Sequence, residues 1–225
     1  MSGESLRQAR NAAGLSQVQA AKALGVSQAL FSMMESGQRV VTYAVALKVV
    51  DLWKVSPVLL PLSQEQHRND EQLAADLATL GYPGFAYLAG AKRNPAEVLF
   101  DALDRADLDA RVVEALPWLP MQYPDMDWKW LVDQAKLHNR QNRLGFVLAL
   151  AFRLARVKSM RGPAKQLYRV VAVLREARLV RNDTLCQESW PPSQRKHAHA
   201  RRSKLASYWN LDTRLTGRDL AHLAA

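Results

Sequence analysis

The chain has 225 residues, with 31 Lys and Arg against 21 Asp and Glu, a formal charge of +10 and a pI near 10. Hydrophobic residues make up 48%, which excludes a wholly disordered chain and suffices for one large domain or two small ones. The single cysteine, Cys186, excludes an intrachain disulfide framework and a multi-cysteine zinc module, and fits a reducing compartment.

Residues 5–66 read as a run of short helices. Ser5 is placed to cap a first helix through Ala13, ended by Gly14. Ser16, with Gln19 three residues on, forms a capping-box pattern for a second, stopped by Gly25 after Leu24. Ser27 caps a third that runs to Ser36 and closes at Gly37. A fourth, Thr42–Trp53, carries Tyr43, Ala46, Leu47 and Val50 at helical spacing. Pro57 suits a first helical turn, so a fifth is expected over Pro57–Leu62. The polar stretch Ser63–Glu71 then sets a domain boundary, between residues 66 and 67.

Beyond it, Gln72–Leu80 is helical and stops at Gly81-Tyr82-Pro83-Gly84. Further helices are predicted over Pro95–Ala106, Asp109–Leu119, Asp127–His138, Gln141–Lys158 and Ala164–Leu179. No alternating pattern proposes a sheet, so the fold class is all-α. From Arg181 the periodicity fades, and residues 181–225 read as a basic, mobile extension with a short terminal helix near Gly217–Leu223. The organisation is thus 1–66, 67–180 and 181–225. The uncharged stretch Leu77–Ala91 is interrupted by Gly81, Pro83, Gly84 and Gly90, too broken to span a membrane. With no basic-then-apolar leader, a cytoplasmic protein without membrane contact is expected.

Charge is unevenly placed. Residues 1–66 carry +2, residues 67–133 carry −6, and residues 134–225 carry +14. Over 140–181, eleven basic residues face one acid, Glu176. Arg140, Arg143, Arg153, Arg156, Arg161, Lys165 and Arg169 form a candidate basic patch, because like charges at this density repel unless an anionic partner covers them. Trp118, Trp128 and Trp130, with Tyr123 between, read as core rings more than as a contact surface; Trp128 and Trp130, two apart, cannot share one helix face.

The strongest pattern is Leu15-Ser16-Gln17, Ala20-Ala21, Leu24-Gly25-Val26-Ser27, Phe31 and Met34-Glu35-Ser36-Gly37. Ala21 is small where two helices cross, Gly25 takes the turn, and Phe31 and Met34 face the core. Together these residues resemble the helix-turn-helix of the Cro/CI-type (XRE) regulator family, over residues 6–62. The resemblance implies a five-helix, lambda-repressor-like domain that binds a double-stranded DNA operator, with Ser27–Ser36 in the major groove. Ser27, Gln28, Ser32 and Met33 point away from the Phe31/Met34 stripe and are the base-readout candidates. Gln28 leads them, since an amide can donate to and accept from adenine together. Gln17 matches a family position that bonds phosphate, while Gln38, Arg39 and Thr42 fall in the loop that would follow the DNA backbone. Arg10 and Glu35 match a structural ion pair. The reading helix holds no Lys or Arg, so one copy should bind weakly, and a homodimer or help from the basic half is expected.

Residues 81–118 and 127–146, with Gly81-Tyr82-Pro83-Gly84-Phe85, Glu114–Trp118, Asp127-Trp128 and Gln141–Phe146, look similar to helical C-terminal domains of antitoxins. That resemblance implies autoregulation of an operon and neutralisation of a cognate toxin. A stand-alone phage-type or ligand-sensing repressor, and RNA binding through residues 140–204, remain alternatives. No catalytic residues, metal site or cofactor are expected. His197, His199 and Cys186 lack a ligand spacing, and Asp101, Asp104, Asp107 and Asp109 read as solvated helix ends.

Overall fold

Hydroxyl side chains start each of the first four helices. In the computed structural model, which describes residues 1–62 and 68–220, α1 (Gly3–Ala12), α2 (Gln17–Leu24), α3 (Gln28–Glu35) and α4 (Tyr43–Trp53) are capped by Ser2, Ser16, Ser27 and Thr42. Each hydroxyl accepts a backbone N–H that the first turn cannot satisfy itself. The Ser16/Gln19 capping box is present, and Gly25 closes α2 in the left-handed conformation. The first helix begins at Gly3 rather than at Ser5, with Ser2 as its cap. Gly3 lies so close to the Met34 and Glu35 carbonyls that a Cβ would collide with them. After α4 the expected fifth helix is reduced to a 3-10 turn, Pro57–Leu59.

The chain divides into two compact units, Met1–Gln64 with Lys92–Asn94, and Glu65–Ala91 with Pro95–Ala225. The boundary expected between residues 66 and 67 lies outside the described residues. The core of the first unit is built from Leu6, Ala20, Ala21, Leu24, Phe31, Met34, Ala46, Val49 and Leu60. Residues 92–94, expected in the second region, belong here. The buried Asn94 amide donates to the Val58 and Leu60 carbonyls at 3.0 and 2.8 Å. Lys92 pairs with Asp51 at 2.5 Å, and the Tyr43 hydroxyl donates to the Lys92 carbonyl at 2.6 Å. The carbonyls around the 3-10 turn lack helical partners, and Asn94 satisfies them.

The second unit is helical as well: α5 (Asp70–Thr79), α6 (Pro95–Asp104), α7 (Ala110–Ala115), α8 (Trp118–Gln122), α9 (Trp128–Leu137), α10 (Gln141–Val157) and α11 (Arg161–Glu176). The single helix expected over 109–119 is two, α7 and α8, meeting at Pro117, which has no N–H to continue the ladder. α11 starts three residues earlier than expected, because Pro163 falls in its first turn, where a missing N–H is tolerated. α10 is buried on every face over residues 141–151 and packs along α11. From Leu144 to Ala151 it is apolar all round, and such a helix belongs inside a core.

Over the described residues 182–220 the chain is not an extension. It forms α12 (Pro192–Arg201), α13 (Lys204–Tyr208) and a two-residue parallel pair, β1 (Asp183–Thr184) with β2 (Leu211–Asp212), which no sequence pattern announced. Trp209 is fully buried, and its ring occupies the space a side chain at Gly145 would need. Leu211, Leu215 and Leu220 are buried too. Three arginines help to hold this segment: Arg178, just before it, lies over the Tyr208 ring, Arg214 lies over Trp190, and Arg202 bonds Asp212. Of the expected terminal helix, 217–220 is a turn, and 221–223 lie outside the described residues.

Candidate nucleic-acid interface

The helix-turn-helix is α2 and α3 with the turn at Gly25. Phe31 and Met34 anchor α3 in the core, so the opposite face is solvent-facing: Gln28 is exposed, Met33 is 42% exposed, and Ser32 is half-buried. Beneath it lies a chain of side-chain hydrogen bonds. Arg10 Nε donates to Glu35 Oε1 at 2.7 Å, Gln17 Nε2 donates to Glu35 Oε2 at 2.7 Å, and Gln28 Nε2 donates to Gln17 Oε1 at 3.2 Å. Arg10 also donates to the Leu15 carbonyl at 2.8 Å. Glu35 is only 3% exposed, yet both its oxygens are satisfied. A buried carboxylate is tolerable on those terms alone.

This chain fixes Gln28 without consuming it. Its amide has two N–H groups and a carbonyl, and one N–H goes to Gln17. The remaining N–H and carbonyl match the acceptor and donor that adenine presents in the major groove. Gln17, expected at phosphate, keeps one N–H beyond its bond to Glu35. The Ser27 hydroxyl accepts from the Leu30 amide and keeps its own proton. Thr42 likewise accepts from Val45 N, while Gln38 and Arg39 are exposed in the loop after α3. An open groove of roughly 650 Å³ joins Ser27, Met33, Gln38, Arg39 and Thr42. It also brings in Leu30 and Val40, which sequence reasoning missed. Val40 is 85% exposed, although it sits beside the buried Val41 in an apolar pair that gave no hint of which faced outward.

In the second unit the basic patch is smaller than expected. Arg143 has no exposed surface: it donates to Asp183 at 2.8 and 2.9 Å, to Glu188 at 2.7 Å, and to the Leu103 and Arg105 carbonyls. Burial alone would lower its pKa, but the Asp183 and Glu188 carboxylates hold it above the ordinary arginine value. Arg140 is shared among Asp104, Asp183 and Glu188 at 3.0 to 3.8 Å. Both arginines open a buried helix, where a cation persists only if paired, so they are core ties and not patch residues. Arg153, Arg156, Arg161, Lys165 and Arg169 are exposed.

Other sequence expectations resolve similarly. Asp101 is buried and accepts the Arg68 amide, and Asp104 pairs with His138 and Arg140, so neither is a solvated helix end. Asp109 caps α7, and the Ser189 amide holds the Asp107 carboxyl below the usual range. His199 bonds Asp212 at 2.8 Å. Trp118, Trp128 and Trp130 are half-buried; Trp118 meets Tyr82 and Tyr123 edge-on, and Trp130 meets Phe100. Cys186 is buried beside Arg143, and burial pushes its thiol up to about 11.

Residues 3–62 match a family model described as a helix-turn-helix domain. The match supports a regulator of the helix-turn-helix class that binds DNA, and it covers the unit that carries the Gln28 chain. Comparison with curated proteins and with solved structures finds no match. Among the described residues, no helix is long and apolar enough to cross a membrane.

Proposed function

We propose that this chain is a sequence-specific transcriptional regulator that binds a double-stranded operator, as a homodimer in the cytoplasm. Ser27, Gln28, Ser32 and Met33 read base edges, while Gln17, Gln38, Arg39 and Thr42 follow the backbone. The observation that carries this reading is the Arg10–Glu35–Gln17–Gln28 chain, which presents a pre-oriented amide on an exposed helix face. With no cation on α3, affinity per copy is low, and two copies on a palindromic site raise it. Within the same reading the chain is an XRE-type antitoxin: the first unit represses its own operon, and the second neutralises a toxin. The likeness of residues 81–118 and 127–146 to antitoxin domains supports that part.

Binding to the chain's own promoter, with Gln28→Ala beside the parent, tests the readout. A bidentate amide contact contributes on the order of 1–3 kcal/mol, so affinity for the operator should fall about ten-fold or more while affinity for random duplex holds. Equal loss on both would remove Gln28 from base readout. Co-expression with the neighbouring gene tests the antitoxin part: no toxicity to relieve and no complex would end it.

A further inference from the structure

Once Arg140 and Arg143 are removed from the basic patch, the remaining positive charge concentrates at one place, the turn between α10 and α11. There Phe152, Arg156, Met160, Arg161, Lys165 and Tyr168 line a cleft of about 520 Å³. Arg161, Lys165 and Arg169 follow one another at four-residue intervals along α11, in steps of roughly 6 Å. Arg153 and Lys158 flank them on α10 and its end. Among the described residues, none of these six cations, Arg156 included, has a carboxylate within 4.0 Å, whereas the arginines at the start of α10 are saturated. No acidic side chain lines the cleft, and the one acid of α11, Glu176, lies two turns beyond Arg169.

Charge alone would suit any polyanion. The aromatic rings narrow the choice. Tyr168 is 55% exposed in the middle of the cationic row, and its ring meets the half-buried Phe152 at 6.0 Å and 46°. The Arg156 guanidinium stands 6.0 Å from the Phe152 centroid. α11 opens without a side-chain cap, so its electropositive first turn, which also lines the cleft, has no internal anion. An exposed ring inside a cationic concavity gives a platform for a flat heterocycle whose neighbours on either side are phosphates. A duplex keeps its bases paired and stacked, and would touch only the rim.

We propose that the α10–α11 cleft binds single-stranded nucleic acid, with one base stacked on Tyr168 and the flanking phosphates held by Arg156, Arg161 and Lys165. This site is separate from the readout face of the first unit and does not depend on it. The test uses the full chain and a labelled oligothymidylate of about twelve nucleotides, within the span such sites cover. Binding should be measurable at low salt, with log K falling on log salt at a slope near −2 for about three phosphates neutralised. Tyr168→Ala should weaken it roughly ten-fold and Tyr168→Phe should not, while Arg161→Glu with Lys165→Glu should abolish it. Gln28→Ala should leave it unchanged. These exposed positions allow the fold of each variant to be verified by its melting curve.

Four outcomes would overturn the proposal. Absence of oligothymidylate binding at low salt is one. Binding that survives both charge reversals is another. Preference for a random duplex, insensitive to Tyr168→Ala, would make the row a duplex-backbone contact, and tighter capture of polyglutamate than of oligothymidylate would assign the cleft to an acidic protein.

Discussion

Each unit holds an arginine–carboxylate group with one fully buried member, Glu35 in the first and Arg143 in the second, and the two groups serve different ends. In the first, Glu35 takes Arg10 on one oxygen and Gln17 on the other, and Gln17 passes the order on to Gln28 at the surface. In the second, Arg143 spends its donors on Asp183, Glu188 and the carbonyls of Leu103 and Arg105, so it ties α10 to the 183–188 segment and to the end of α6. The same chemistry is wired outward in one case and closed on itself in the other.

The sharpest way to break that contrast is Arg143→Ala. It leaves Asp183 and Glu188 to Arg140 at 3.8 and 3.3 Å and takes the donor from the Leu103 and Arg105 carbonyls, so about 3–5 kcal/mol of stability should be lost from the second unit. Denaturant unfolding should show that loss in one transition, with operator affinity of the folded protein unchanged. A fall in operator affinity would mean that the closed network is not closed. Glu35→Gln comes next. Arg10 keeps some access to water, so the stability cost should be on the order of 1–3 kcal/mol, but operator binding should weaken as well because Gln17 and Gln28 lose their anchor. Stability loss with full operator affinity would cut the link from core to surface. The smallest effect concerns Cys186. Burial raises its thiol from 9.0 to about 11, so the protonated form is the one the fold accepts. The thiol's contribution to stability is complete below pH 9 and is lost as the pH rises from there towards 11. Native-state alkylation at neutral pH should be slow against the unfolded chain, and brisk labelling would show that the second unit opens locally around Arg143.

Much of the first unit was legible because its signals are local. Ser16 with Gln19, Gly25, and the Phe31/Met34 spacing each fix one turn of chain, and they agree with one another. The Arg10–Glu35 pair, twenty-five residues apart, was reachable through a family resemblance, and it is present at 2.7 Å. What escaped was the bond that Gln28 donates to Gln17, since nothing in a sequence says which amides meet. The second unit was less legible because its key contacts are long-range. Arg143 reads as one more charge in a basic run, and only Asp183 and Glu188, forty and more residues later, make it internal. Trp209 sits in a polar, basic stretch whose periodicity is weak, and its burial depends on a notch at Gly145 in another helix. Asp101 misled for the same reason, its partner lying in a distant backbone amide.

That notch has a consequence for the order of events during synthesis. Gly145 leaves the ribosome more than sixty residues ahead of Trp209. At 5–20 residues per second, α10 must wait several seconds with its apolar flank unfilled, while the first unit, nearly all of whose contacts lie within 62 residues, has already closed. The nascent chain can thus hold a finished helix-turn-helix domain before its larger partner is complete. Any factor that intercepts the chain in that interval would meet the open face of α10.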